Sequence, residues 1–248
     1  MNINEGFSEG GSIIHRLDPR VRILSAFAFS VVISSSERVP PVFLGLIAAL
    51  VIAALARLQV KKFLVRILCA NLFILFLWLF LPFTIKGESL LQIGPFNISL
   101  EGLIYCLRLT IKSNAIITVL IALTATMPVF TMGRAMGALG LPSKIVNLFI
   151  FSYRYIHTIM NEYRRLKEAM EIRGFRPGTN LHTYRSYAYL AGMLIVKSHD
   201  RAERVHSAML CRGFHGRFYD LTGFNINGAD FIFVIIFLFT LTAIIFAR

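Results

Sequence analysis

The sequence predicts an all-α, polytopic integral membrane protein with two long helices on the cytoplasmic side. Hydrophobic residues fill 56% of the 248 positions and charged residues only 16%, where soluble domains hold about a quarter charged. Apolar runs close to the roughly 20 residues that cross a bilayer fall at 40–56, 63–83, 103–129 and 229–247. Between the last two lies a polar stretch, 134–217, with 14 Lys and Arg against five acids, where two helical patterns end in the same way.

Residues 1–21 contain Glu5, Glu9 and Asp18 and read as a cytoplasmic N-terminal segment without a cleavable signal. The first span, 22–36, is short but apolar in character from Ile23 to Ile33. Pro40-Pro41 and Pro82 stand at the ends of runs, where proline is tolerated. Gly94-Pro95 and Asn97 mark the loop before the fourth span. Orientation follows from the cations. Arg16, Arg20 and Arg22 precede the first span, and Arg57, Lys61, Lys62 and Arg66 separate the second from the third. The alternate loops hold only Arg38 and Lys86, each offset by acids. The positive-inside rule therefore puts the N-terminus in the cytoplasm. About four membrane helices in 22–129 return the chain to a cytoplasmic region, 130–217. A C-terminal membrane helix within 218–248 leaves the C-terminus outside.

A net charge of +13 would suit nucleic acid, but the cations lie between apolar spans and serve topology and docking instead. No nucleic-acid partner is expected; the lipid membrane is. Within the polar region Gly140-Leu141-Pro142 is a turn and Ser143 a candidate N-cap. A helical pattern then runs to about Arg173 through Ile156, Met160, Tyr163, Leu166 and Met170. After Gly174 and Pro177-Gly178 a second helix covers about 183–212, with Ile195, Ala202, Val205 and Met209 as its stripe. Each would run about 45 Å at 1.5 Å per residue.

Both helices close on R-x3-A-M-x2-R-G-F, as Arg165 to Phe175 and again as Arg204 to Phe214. Taken singly, such an end is a C-cap: Gly takes the left-handed position and Arg complements the helix dipole. Ala, Met and an upstream Arg at fixed places, twice, ask for more than capping. Small Ala allows close approach, Met adapts to an irregular groove, and Arg offers a planar fork. Two such ends suit a partner with two equivalent sites.

The remaining candidates weigh less. His199 and His206 lie two turns apart, too far to share an ion, and no carboxylate cluster joins the six histidines. Cys69 and Cys106 sit in apolar runs, and with Cys211 they make neither disulfide framework nor zinc spacing. Arg108 and Lys112, one turn apart near the start of the fourth span, snorkel to the interface or serve function. Gly133, Gly137 and Gly140 lack a P-loop or Rossmann context and read as a small-residue contact or hinge. No catalytic constellation, metal site or cofactor site emerges.

The repeat and several further motifs resemble the T components of energy-coupling factor (ECF) transporters, in particular their cobalt-type CbiQ branch. Phe7 to Arg20, which contains His15-Arg16-Leu17-Asp18-Pro19-Arg20, is similar to the family's opening signature. Leu139-Gly140-Leu141-Pro142, Arg154-Tyr155 and Glu162 match the run into its first coupling helix, and Arg173-Gly174 and Arg212-Gly213 its two Arg-Gly signatures. The resemblance implies a non-enzymatic membrane scaffold between a CbiM-like substrate-binding S component and two ABC-type ATPase subunits in the cell membrane. It makes 130–217 the coupling-helix region and cobalt the expected cargo, with nickel or a vitamin as alternatives. Ala169, Arg173, Gly174, Ala208, Arg212 and Gly213 would be the ATPase-docking positions. Ile172 and Cys211 depart from the Ala that many members have before each Arg. A stand-alone channel or secondary transporter is the competing reading, and the near absence of ionisable residues at the centres of 42–56 and 63–83 argues against it.

Overall fold

The structure, a computed structural model, describes residues 12–84, 89–93, 96–216, 223–224 and 227–246. Phe7 to Gly11 of the opening signature, Lys86 and Gly94-Pro95 lie outside the described residues. A short 3₁₀ turn, Ile13–Arg16, leads into α1 (Pro19–Ser35), α2 (Val39–Leu55) and α3 (Val60–Thr84). Strands β1 (Ser89–Ile93) and β2 (Phe96–Ser99) follow, then α4 (Leu100–Leu123), α5 (Val129–Ala138), α6 (Ser143–Ile172), α7 (Leu181–Cys211) and α8 (Gly228–Phe246). The chain divides into two compact units, Met1–Met132 with Phe224–Arg248, and Gly133–Gly223.

The first unit is a helical membrane bundle. Among the described residues α3, α4 and α8 are long and apolar enough to cross a bilayer, and α2 is a shorter apolar helix. α4 stands at the centre, since 39% of its span is buried inside the protein against 6% for α3. Lipid gives helices no hydrophobic reason to associate, so small residues and close packing must do it. Ala49 of α2 and Ala115 and Ala122 of α4 are fully buried, beside Phe29 and Ile33 of α1 and Phe237 of α8. At Gly45 a Cβ would stand 2.2 Å from the Ile33 Cδ1, so any larger residue there would have to push the buried Ile33 methyl aside.

Polar pairs pin the same helices. Asn71 of α3 and Asn114 of α4 exchange reciprocal amide hydrogen bonds of 3.0 Å. Trp78 Nε1 donates to Thr110 Oγ1 at 2.9 Å. Lys112 Nζ donates to the Ser34 carbonyl at 3.0 Å, supplying a partner and a positive charge to the open end of α1.

Several sequence expectations need correction. The apolar run 103–129 is not one helix. Thr124 and Thr126 turn their hydroxyls back onto the carbonyls of Leu120 and Ala122, and Pro128 has no N–H to continue the ladder. α4 therefore stops at Leu123 and α5 starts afresh at Val129. The loop before α4 contains a hairpin, with Leu91 opposite Ile98 and Ile93 opposite Phe96. Pro82 lies inside the last turn of α3 rather than at its end. Ser143 is the first helical residue of α6, not its cap, because Pro142 holds the cap position with no side-chain bond. α7 begins two residues earlier than expected because Asn180 caps it, accepting the Thr183 N–H at 2.9 Å.

Replacing Asn114 with Ala should leave the Asn71 amide without its partner inside the bilayer. Thermal unfolding of the purified protein should show a loss of about 1 kcal/mol, largely recovered when Asn71→Val and Asn114→Val are combined.

Candidate docking site

α6 and α7 have one apolar and one charged face each, and they pack on one another within the second unit. Glu162 of α6 and Lys197 of α7 make an ion pair near the middle of both helices. The Lys197 hydrogen bond, above all, holds the Glu162 carboxyl below its usual range; desolvation opposes it, and the charges of Lys197, Arg165 and Arg201 add to the lowering. Beside the pair lies a cavity of about 390 Å³ walled by Phe151, Tyr155, Ile156 and Ile159 of α6 and Leu194 and Ala202 of α7. Ile156, Met160 and Ile195, expected on the apolar stripes, remain exposed. α5 closes on the start of α6, where a Cβ on Gly133 would stand 3.0 Å from Ile150 and 3.1 Å from Phe149. That glycine is a helix contact.

The two ends of the repeat have the same geometry. Arg173 ends α6 at φ −80°, ψ 12°, and Arg212 ends α7 at φ −92°, ψ 13°. Gly174 (φ +81°) and Gly213 (φ +76°) then enter the left-handed region, where a Cβ costs about 1–2 kcal/mol. Phe175 N–H donates back to the Met170 carbonyl at 3.0 Å and Gly174 N–H to Glu171 at 3.0 Å. Phe214 N–H donates to Met209 at 3.1 Å and Gly213 N–H to Leu210 at 3.0 Å. This is the Schellman closure, in which an apolar residue two places past the cap pairs with one three places before it. Met and Phe occupy those two places in both copies, half-buried.

Capping thus accounts for Met, Gly and Phe in the repeat, a larger share than spacing alone suggested. It leaves Ala169 and Arg173, and Ala208 and Arg212, unexplained. All four are exposed, and among the described residues neither arginine side chain has a hydrogen-bond or ion-pair partner. Ile172, 87% exposed, and Cys211 stand beside them with nothing to cover them.

Neither end hangs on a loose loop. Phe175 packs on His182 and Tyr187, at 6.2 and 5.7 Å between ring centres, and Gly178 N–H donates to Thr183 Oγ1 at 3.1 Å. Past the second end, Asn147 Nδ2 donates to the Gly216 carbonyl at 3.2 Å, tying the close of α7 to the first turn of α6. From Asn147 to Arg173 along α6 is on the order of 40 Å. The two arginines are therefore separated by roughly the length of α6.

The other sequence candidates do not converge. Among the described residues no three His, Cys, Asp or Glu side chains come together to hold a metal. His199 pairs with Glu203 on the exposed face of α7, 3.5 Å apart. Lys112 closes α1, as described above, and Arg108 Nε is buried without a hydrogen-bond partner among the described residues.

A second polar cluster, in the first unit, escaped the sequence reading. Asp230, 1% exposed, accepts the Asp18 N–H through Oδ1 and the Asn227 N–H through Oδ2, both at 2.7 Å. Asp18, 4% exposed, in turn caps α1 by accepting the Arg20 N–H at 2.8 Å. Arg22, whose place before the apolar run reads as a topology charge, is 4% exposed. Its Nε donates to the Leu17 carbonyl at 3.1 Å, one terminal nitrogen to the His15 carbonyl at 3.2 Å and the other to Thr126 Oγ1 at 3.4 Å. Asn227-Gly228-Ala229-Asp230 does carry a signal, since an acid at the third helical position reaching back to the cap is half of a capping box. Nothing local announces that the same carboxylate also serves a residue 212 positions away.

The family model for CbiQ, described as a cobalt transport protein, matches residues 10–220. The chain is also similar to proteins named energy-coupling factor transporter transmembrane protein EcfT. The one from Streptococcus thermophilus is 29% identical, with 84% of this chain and 83% of that protein aligned. The Bacillus subtilis protein is 28% identical, with 84% and 82% aligned, and that of Thermosediminibacter oceani 26%, with 84% and 82%.

Two measurements test this geometry. Gly174→Ala and Gly213→Ala should each speed amide exchange at the following phenylalanine by roughly fivefold, as about 1 kcal/mol of closure is lost. The Glu162–Lys197 pair has a folded-state carboxyl pKa below the unfolded one, so its contribution is complete above the ordinary carboxylate value. Spin-label distances between α6 and α7 should begin to broaden below about pH 4.3 and be fully broad below the lowered pKa of Glu162. Lys197→Met should give the broad distribution at neutral pH.

Proposed function

Since the chain belongs to the CbiQ cobalt transport protein family, we propose that it is the T component of an ECF-type importer, with cobalt as the cargo of the whole complex. In this role it is a membrane scaffold without catalysis of its own. Two ABC-type ATPase subunits supply the ATP hydrolysis, and a CbiM-like S component binds the ion. The observation that carries the reading is the pair of identically closed helix ends, each presenting an exposed, unpartnered arginine beside an exposed alanine.

Each ATPase receives one end. Arg173 with Ala169 and Gly174 enters one groove, and Arg212 with Ala208 and Gly213 enters the other. Each guanidinium meets carboxylates or backbone carbonyls in its groove, which a planar fork serves better than an ammonium. Closure of the ATPase pair around ATP brings the two ends together, and the crossing at Glu162–Lys197 converts that approach into a change of angle between α6 and α7. Coupling of this kind needs an element with two states that both sites bias, and the crossed pair is that element. The exposed apolar faces of α6 and α7, with the 390 Å³ cavity between them, suit an apolar helix of the S component. The N-terminus and both helices lie on the cytoplasmic side of the cell membrane, as the loop cations require.

Arg173→Glu and Arg212→Glu together should abolish copurification with the ATPases and reduce uptake to background, with the chain itself still folded and in the membrane. Either single change should leave partial assembly. Retained assembly and uptake in the double variant would overturn the docking role. Metal analysis of cells expressing the complete set, with nickel and vitamin uptake measured in parallel, distinguishes cobalt from the alternative cargoes.

A further inference from the structure

We infer that the buried knot of Asp18, Arg22, Thr126 and Asp230 is the fixed point against which the coupling region works, with Arg22 and Asp230 as positioning residues. The inference rests on the T-component reading above and adds a part to it. A scaffold that transmits motion needs a place where the moving segment is held. Without one, displacement is absorbed at the first joint.

Gly133, where the second unit begins, lies within α5, and the link between α4 and α5 joins that helix to the membrane bundle, so a displacement of α5 reaches the bundle there. Thr126 lies in that link. Arg22 grips it, and its other donors hold the His15 and Leu17 carbonyls on the turn that opens α1. One turn before Arg22, the Asp18 N–H is held by Asp230, whose second oxygen closes the start of α8 through Asn227. A pull on the link is therefore passed to α1 and α8 together.

The knot is also built to resist exchange with water. Asp18, Arg22 and Asp230 are 4%, 4% and 1% exposed, and the charges of Asp18 and Asp230 both act on the Arg22 guanidinium. Arg20, lying 5.0 Å over the Phe224 ring and donating to its carbonyl at 3.2 Å, adds a tie to the segment just ahead of α8. Stabilising the N-terminal turn alone would need only the carbonyls of His15 and Leu17. The reach to Thr126, at 3.4 Å the longest arm, is the contact that changes first when the link moves.

The test uses the complete complex, with both ATPases and the S component, in proteoliposomes. ATP hydrolysis, uptake and thermal stability are measured on the same preparations. Thr126→Val removes the arm, together with the hydroxyl's own bond to the Ala122 carbonyl, and should leave hydrolysis within about twofold, while uptake per ATP falls roughly fivefold, the scale of one lost hydrogen bond. Thr126→Ser should restore the ratio. Asp230→Asn, which replaces one acceptor oxygen by a donor, should lower the same ratio further. An unchanged ratio in Thr126→Val, or uptake and hydrolysis falling in step with thermal stability in both variants, would overturn the inference. A wild-type preparation that holds no ATPase would instead remove the reading beneath it.

Discussion

Every helix begins with N–H groups that its own turns cannot satisfy, and in the first unit one carboxylate answers for two helices. Asp230 takes the N–H of the residue that caps α1 and the N–H of the residue that caps α8. The two helices must then start at the same end of the bundle, and their buried Phe29 and Phe237 meet partway along, 6.4 Å apart. Arg22 brings the end of α4 to this same place through Thr126. The knot thus fixes the relative sense of α1, α4 and α8 without appeal to loop charges.

The second unit uses backbone closure differently. There the unsatisfied groups are carbonyls at the ends of α6 and α7, and both are closed by the same pair of back-donated hydrogen bonds. The closure fixes which way the cap residue faces. With Met and Phe turned inward to pair around the glycine, Arg has an outward position held by backbone geometry rather than by side-chain contacts. The cap sets the direction and leaves the guanidinium without a partner among the described residues.

How far the sequence disclosed this follows from the range of each interaction. The C-caps and each copy of the repeat are legible because residues within a few positions determine them. The break after Leu123 was hidden from hydropathy, because Thr124 and Thr126 count as mildly polar residues in a run although their hydroxyls compete for the helix carbonyls. Arg22 was misread for a related reason. A cation at the edge of an apolar run looks like a topology charge until the three acceptors around it are known, and those come from segments more than 100 residues apart. Asp230 lies further still from its partner. The Glu162–Lys197 crossing depends on how two helices meet, which no period within either helix encodes.

The two units differ in what they leave unfinished. In the membrane bundle the interior polar groups that matter for architecture, Asn71 with Asn114, Lys112 with the end of α1, and the Asp230 knot, find partners within the chain. In the second unit Ile156, Met160, Ile172 and Ile195 stay exposed, and among the described residues the side chains of the two arginines have no partner. An isolated helix pair with apolar faces this open and one ion pair at its crossing gains little from its own packing, since surface ion pairs contribute about 0–1 kcal/mol. Its angle is therefore set cheaply by whatever binds it. A closed bundle joined to an easily biased pair of stiff helices is the distribution of rigidity that transmission of motion requires.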